Sequence, residues 1–207
     1  MTDDNRIVGE ILAASQKFDA RLGRFVLVFS RVEKLLYRVL LKYANVSPAV
    51  GAAIFSGTRL EDMAKFISAI LDNTRNSESK PSSPESIRAT RLKYVFAQLT
   101  EINGARNRLI HGGLPIYSIG GITAVRKGSR IVNDVHYEIT LQEVQAMIHD
   151  LQKIHTELSF HKWRGEFDEY PAPLPSTWLY KSPEPNTRPN KGSKPQKRLG
   201  RRRSSPE

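Results

Sequence analysis

From Phe18 to Ala44 the apolar residues return at steps of three and four: Leu22, Val26, Phe29, Leu36, Leu40 and Tyr43, with position 33 completing the series. That period predicts one long helix buried along one side. The residue at the missing step is Glu33, and a carboxylate on a packing face is seldom tolerated without a cationic partner. Either it lies at the stripe's edge beside Arg31 or Lys34, or it meets Arg106 from another helix. Asn45-Val46-Ser47-Pro48 closes the helix, because proline disfavours helical geometry in the residue before it. Pro48 to Phe55 predicts a small helix, and Thr58-Arg59-Leu60-Glu61 reads as a capping box opening the next one, which carries Met63, Phe66, Ile67, Ile70 and Leu71. Asn73 to Pro84 is rich in Ser and Pro and predicts a mobile surface loop, residues 73–84.

Pro84 is well placed to begin a further helix, since the first turn needs no donor from it. Leu92, Val95, Leu99, Ile102, Arg106 and Leu109 alternate by three and four, and Gly112-Gly113 ends the run. Here Arg106 interrupts the apolar stripe as Glu33 does on the first helix, so the two helices are expected to pack through those faces and pair the charges. Residues 115–139 then alternate, with Gly128-Ser129 as a turn, which predicts a β-hairpin. Thr140-Leu141-Gln142-Glu143 restarts a helix that Val144, Met147, Ile148, Leu151, Ile154 and Leu158 continue to about His161. The fold class expected is mainly α: an antiparallel helical bundle with a β-hairpin insertion and an extended basic C-terminal tail.

With 207 residues and 39% hydrophobic content the chain supports one domain, residues 1–165, followed by a tail, 166–207. It has no cysteine, which excludes disulfides, thiolate zinc sites and cysteine nucleophiles. Met1-Thr2-Asp3-Asp4 is acidic where a secretory signal is basic, and no apolar run reaches membrane-spanning length, so a cytoplasmic protein without membrane attachment is expected. The formal charge is +11, unevenly placed: residues 171–207 hold nine Lys/Arg against Glu184 and Glu207, and eight of the twelve prolines. Beyond residue 182 such a composition cannot fold alone. Trp178 and Tyr180, with the neighbouring prolines, are placed to strap an extended arm across the bundle or a dimer partner. Lys191, Lys194, Lys197, Arg198, Arg201, Arg202 and Arg203 form a run that attracts phosphate backbones; the plainer alternatives are a solubilising tail or a handle for an acidic partner.

The candidate chemistry sits at Ala105-Arg106-Asn107-Arg108-Leu109-Ile110-His111. On a helix Asn103, Asn107 and His111 form a polar row, and Arg106 stands beside it. An imidazole titrating near neutrality moves protons, and a guanidinium fork holds a phosphoryl group as its charge develops. A pair of C-terminal-turn cations favoured by the helix dipole is the structural alternative. Spacing alone does not decide: Arg130 and His136 satisfy a similar rule on extended chain. His149, His155 and His161 recur every six residues, about 120° around a helix, and form no four-residue zinc pair. Gly120-Gly121 lacks the lysine of a phosphate loop. No metal and no cofactor is expected.

A helical bundle whose penultimate long helix ends in Arg106-Asn107-x-x-x-His111 resembles the HEPN superfamily. Phe29-Ser30-Arg31-Val32-Glu33-Lys34 on the first long helix also resembles the aromatic-and-glutamate pattern of an early helix in such domains. The likeness covers residues 18–161 and rests on one short motif plus helix order. It implies a homodimer whose motif helices meet in a composite cleft, and a metal-independent endoribonuclease acting as a toxin or defence effector under the restraint of an antitoxin or regulator protein. It assigns proton transfer to His111, phosphate binding to Arg106 and hydrogen-bonding orientation to Asn107; Glu33 is added as the residue positioning Arg106, and Asn103 with the tail cations as RNA contacts. The alternative is a noncatalytic HEPN dimer serving as an RNA-binding or protein-assembly module.

Overall fold

The computed structural model describes residues 3–77, 84–111, 115–118, 121–126, 135–162 and 177–182. Five helices follow in order: α1 Asp3–Tyr43, α2 Pro48–Phe55, α3 Leu60–Ser77, α4 Pro84–His111 and α5 Leu141–Lys162. The chain is thus mainly helical, a bundle of four long helices with α2 as a short connector. Local chemistry sets the starts. Ser47 caps α2 by accepting from the Val50 N–H at 3.4 Å, with Pro48 in the first turn. Thr140 and Glu143 close a reciprocal capping box on α5: Thr140 Oγ1 accepts from the Glu143 N–H at 3.2 Å, and Glu143 Oε2 accepts from the Thr140 N–H at 2.7 Å.

Two boundaries differ from expectation. Helix α1 begins at Asp3 rather than near Phe18, and α3 continues to Ser77 through half of the segment read as a loop. In α1 the three-four rhythm persists through Ile7, Ile11 and Ala14, but Ile7, Val8 and Leu12 are exposed, so no core contact announces that stretch. Within the region read as a β-hairpin, the described residues form three short strands, β1 Pro115–Ser118, β2 Gly121–Arg126 and β3 Val135–Ile139, antiparallel in the order β1-β2-β3, and the turn read at Gly128-Ser129 lies outside the described residues. Ile122 pairs with Tyr117 on one side and Ile139 on the other. The run read as one extended stretch, 116–125, is described as two strands, one ending at Ser118 and the next beginning at Gly121.

Helix α1 runs chiefly along α5 and α3, and α4 packs on the same two helices, so α1 and α4 occupy diagonal positions. The core is formed by Phe25, Phe29, Val32 and Leu36 of α1, Met63 and Ile67 of α3, Leu92, Val95, Leu99 and Ile102 of α4, and Met147, Ile148, Leu151 and Ile154 of α5. The buried seam of α1 therefore passes through Val32, not Glu33, and that of α4 through Ala105, not Arg106. Both charges stand at the edge of the core, half-buried. The expected and observed faces of α1 share Phe29, Leu36 and Leu40, but Phe25 is buried and Val26 exposed, so the true face is turned by one residue.

Polar pairs fix the seam between α4 and α5. Arg91 makes a two-pronged bond with Glu157, Nη2 to Oε1 at 2.7 Å and Nε to Oε2 at 3.3 Å, both residues being nearly buried. Seven residues along, the Gln98 Nε2 donates to Asp150 Oδ2 at 3.0 Å. Rising position on α4 meets falling position on α5, so the two helices are antiparallel; Asn103 with Glu61 and Lys93 with Asp72 give α3 and α4 the same relation.

Candidate phosphate-handling site on the motif helix

The motif residues occupy the last two turns of α4. Arg106 turns toward α1, where its guanidinium carbon lies 5.1 Å from the centre of the Phe29 ring. Its Nη1 donates to the Oδ1 of the exposed Asn107 at 3.2 Å. Arg106 forms no ion pair with a carboxylate among the described residues. A cation held by a ring face and one amide is oriented yet keeps donors for an anion.

The expected Glu33–Arg106 pair is corrected by this geometry. Glu33 stands one turn beyond Phe29 on α1, half-buried, and among the described residues it makes no ion pair with Arg106, Arg31 or Lys34. Since α1 and α4 lie diagonally, the ring of Phe29 rather than the carboxylate directs the guanidinium. Asn103 also departs from the expected RNA-contacting polar row: it is buried, 8% exposed, and its Nδ2 donates to Glu61 Oε1 at 3.0 Å, bracing α4 against α3. That bond occupies the carboxylate assigned by sequence to the Thr58 capping box. Of the row Asn103, Asn107 and His111, one member is thus inside and Asn107 is outside. His111 ends α4, and its side chain lies outside the described residues, as do Lys191, Lys194, Lys197, Arg198, Arg201, Arg202 and Arg203.

Comparison with protein-family models, curated proteins and solved structures finds no match to this chain.

Arg108 faces the opposite side of α4 from Arg106, as a two-residue helical step requires. There it meets a strap formed by residues 177–182: its Nη2 donates to Tyr180 Oη at 3.3 Å and to Ser182 Oγ at 3.4 Å. The strap crosses the α4/α5 seam and is held mainly through its backbone. Asp150, wholly buried, accepts from the Leu179 N–H on Oδ1 at 3.1 Å and from the Tyr180 N–H on Oδ2 at 2.8 Å. Gln98 Nε2 donates to the Tyr180 carbonyl at 2.9 Å. Trp178 stacks on Tyr94 with ring centres 5.2 Å apart, and Tyr180 is 4% exposed. Burial raises the Tyr180 phenol above its ordinary 10.0, with the nearby Arg108 cation and the hydrogen bonds from Ser182 and Arg108 acting the other way.

The strap's aromatic anchors were foreseen in the sequence, but Asp150, Gln98, Arg91 and Glu157 were not. A signal existed: Arg91 and Gln98, like Asp150 and Glu157, stand seven residues apart beside apolar stripes, which places each pair on one helix face. A cavity of about 510 Å³ adjoins the strap between Arg21 of α1, Leu141, Ala146 and His149 of α5, and Leu179; none of the motif residues lines it. Among the described residues no group of three His, Asp or Glu side chains is arranged to hold a metal ion, and no helix is long and apolar enough to cross a membrane.

Proposed function

We propose that this chain is a HEPN-type endoribonuclease that cleaves RNA without a metal ion. The observation that carries the reading is Arg106: oriented by Phe29 and Asn107 on the helix that ends at His111, and without a carboxylate ion pair among the described residues, it is free to receive a phosphate. In the reaction a 2′-hydroxyl oxygen attacks the adjacent phosphorus while the bond to the 5′-oxygen breaks. One proton leaves the 2′-oxygen and one reaches the departing 5′-oxygen, giving a cyclic phosphate and a free 5′-hydroxyl. His111 moves protons and Arg106 stabilises the charge on the phosphoryl oxygens. Asn107 holds the guanidinium in place, and Asn103 braces the motif helix against α3. A five-residue step separates Arg106 and His111 by about 140° on a helix, so two copies meeting as a homodimer bring them together more readily than one copy alone.

The test is incubation of the full chain with mixed RNA in excess chelator, beside His111→Ala. Fragments ending in cyclic phosphate from the wild type, and none from the variant, are expected. Cleavage that survives in His111→Ala, or that begins only on adding magnesium, overturns the assignment. RNA binding without cleavage by the wild type identifies the noncatalytic binding module instead.

A further inference from the structure

The cavity of about 510 Å³ beside the strap has no part in the proposed chemistry, and its size is that of a recess enclosing a small molecule. Its wall from α5 is one helix face: Leu141, Gln142, Gln145, Ala146 and His149 recur at steps of three and four. Ala146, in the middle of that face, ends at its Cβ between longer neighbours and leaves the room. Helix α1 closes a second side with Arg21, and the strap closes a third with Leu179. Internal bonds hold these walls. Asp150 Oδ1 accepts from the Leu179 N–H at 3.1 Å, and Arg21 Nη1 donates to Gln145 Oε1 at 2.6 Å.

The surface turned into the recess is almost wholly apolar, whereas Arg21, Gln145 and His149 are exposed residues and stand at its mouth. Among the described residues Arg21 makes no ion pair with a carboxylate, and its single bond to Gln145 leaves the guanidinium fork with further donors. His149 Nδ1 stands 3.9 Å from Asp150 Oδ1, too far for a hydrogen bond. That carboxylate is already served by the strap and by Gln98. No carboxylate is among the described lining residues. An apolar floor below a guanidinium and an imidazole complements a molecule with an apolar body and an anionic head. A neutral ligand leaves the guanidinium donors unused, and a cation meets like charge.

We propose that this recess binds a small monocarboxylate with an apolar body, the body against Leu141, Ala146 and Leu179 and the carboxylate on Arg21, with His149 as a second donor. Leu179 is 54% exposed although its backbone is clamped, so a ligand seated here covers apolar surface that the strap alone leaves in water. Such a ligand binds the docked strap better than the released one, and by linkage it holds the strap down. The strap also engages Arg108 through Tyr180 and Ser182, which ties the recess to the helix that carries the motif. Binding of this kind is independent of the RNA reading above.

Titration calorimetry of the full chain with decanoate, and separately with naphthalene-2-carboxylate, is expected to show saturable binding of at least one of them at a single site. Decyltrimethylammonium, an apolar cation, is expected not to bind. Arg21→Gln lies outside the core and is expected to weaken the carboxylate about tenfold or more, the usual loss of a charged hydrogen-bond donor. Ala146→Phe fills the recess and is expected to abolish binding; Gln142→Trp, which closes it from an exposed position, decides the matter if Ala146→Phe does not fold. At saturation, amide hydrogen exchange at Leu179 and Tyr180 is expected to slow about threefold or more, because the ligand favours the docked strap. Absence of saturable binding by both carboxylates, equal binding of the cation, undiminished affinity in Arg21→Gln, or binding retained in a folded variant with the recess filled or closed overturns the assignment. Unchanged exchange at both amides in saturating ligand overturns its placement against the strap.

Discussion

Replacing Arg106 by methionine, alongside Arg91 by methionine on the same helix, separates a cation kept for a ligand from one kept for the fold. Arg91 faces Glu157 in a two-pronged pair with side chains 11% and 10% exposed. Its loss leaves a carboxylate inside the protein without its charge partner, which costs about 3–5 kcal/mol. Arg106 is half-buried, and its described contacts are the Phe29 ring at 5.1 Å and an exposed bond to its neighbour Asn107. A ring contact of this kind is worth roughly 0.5–1 kcal/mol, and an exposed neighbour bond adds little, so Arg106→Met is expected to cost about 1 kcal/mol. For a domain of this size that is a melting shift of about 2–4 °C, against about 10 °C for Arg91→Met. Urea titration followed by circular dichroism measures both. Turnover on RNA in chelator gives the other axis: loss of a transition-state donor is expected to lower kcat about 100-fold or more in Arg106→Met. If Arg106→Met proves as destabilising as Arg91→Met, the guanidinium belongs to the fold, and the basis for assigning it to phosphate falls.

The raised phenol of Tyr180 gives a pH dependence with a definite sign. The docked strap holds its proton above the ordinary 10.0, so docking is fully supported below that pH and weakens as pH rises past it; Trp178 fluorescence in a Trp163→Phe background is expected to report release above pH 10, and Tyr180→Phe to abolish that transition. Truncation after Ser182 keeps the strap and removes the basic run, so RNA affinity is expected to fall most at low salt and its salt dependence to flatten, while turnover at saturation survives; an unchanged salt slope places the tail outside RNA binding. Light scattering is expected to give a dimer mass for the wild type and for this truncation at micromolar concentration, and a monomer mass without self-association refutes the shared cleft.

What could be read from the sequence was whatever is decided within a few residues. Ser47 before Pro48, and Thr140 three before Glu143, satisfy backbone groups of their own turn, and the helices begin where they stand. The long-range partners were not legible, because a charge beside an apolar stripe announces that a partner exists without naming it. Glu33 and Arg106 share that signal with Asp150, Glu157, Arg91 and Gln98, yet only the latter four meet one another. The difference is the register of the helices that carry them. On α4 the polar positions are 91 and 98, on α5 they are 157 and 150, and an antiparallel pairing aligns both pairs at once. A slip of one heptad toward each other's ends would set Arg91 against Asp150 and leave Glu157 inside with no cation opposite, at a cost of several kcal/mol. It would also withdraw Gln98 from the Tyr180 carbonyl and from the carboxylate that holds the strap. The two polar pairs therefore do for the seam what apolar residues, interchangeable at every heptad, do not: they leave one alignment satisfied. Since Arg106 lies eight residues beyond Gln98 on the same helix, the alignment that satisfies Asp150 is also the one that sets how far the motif turn stands from the strap.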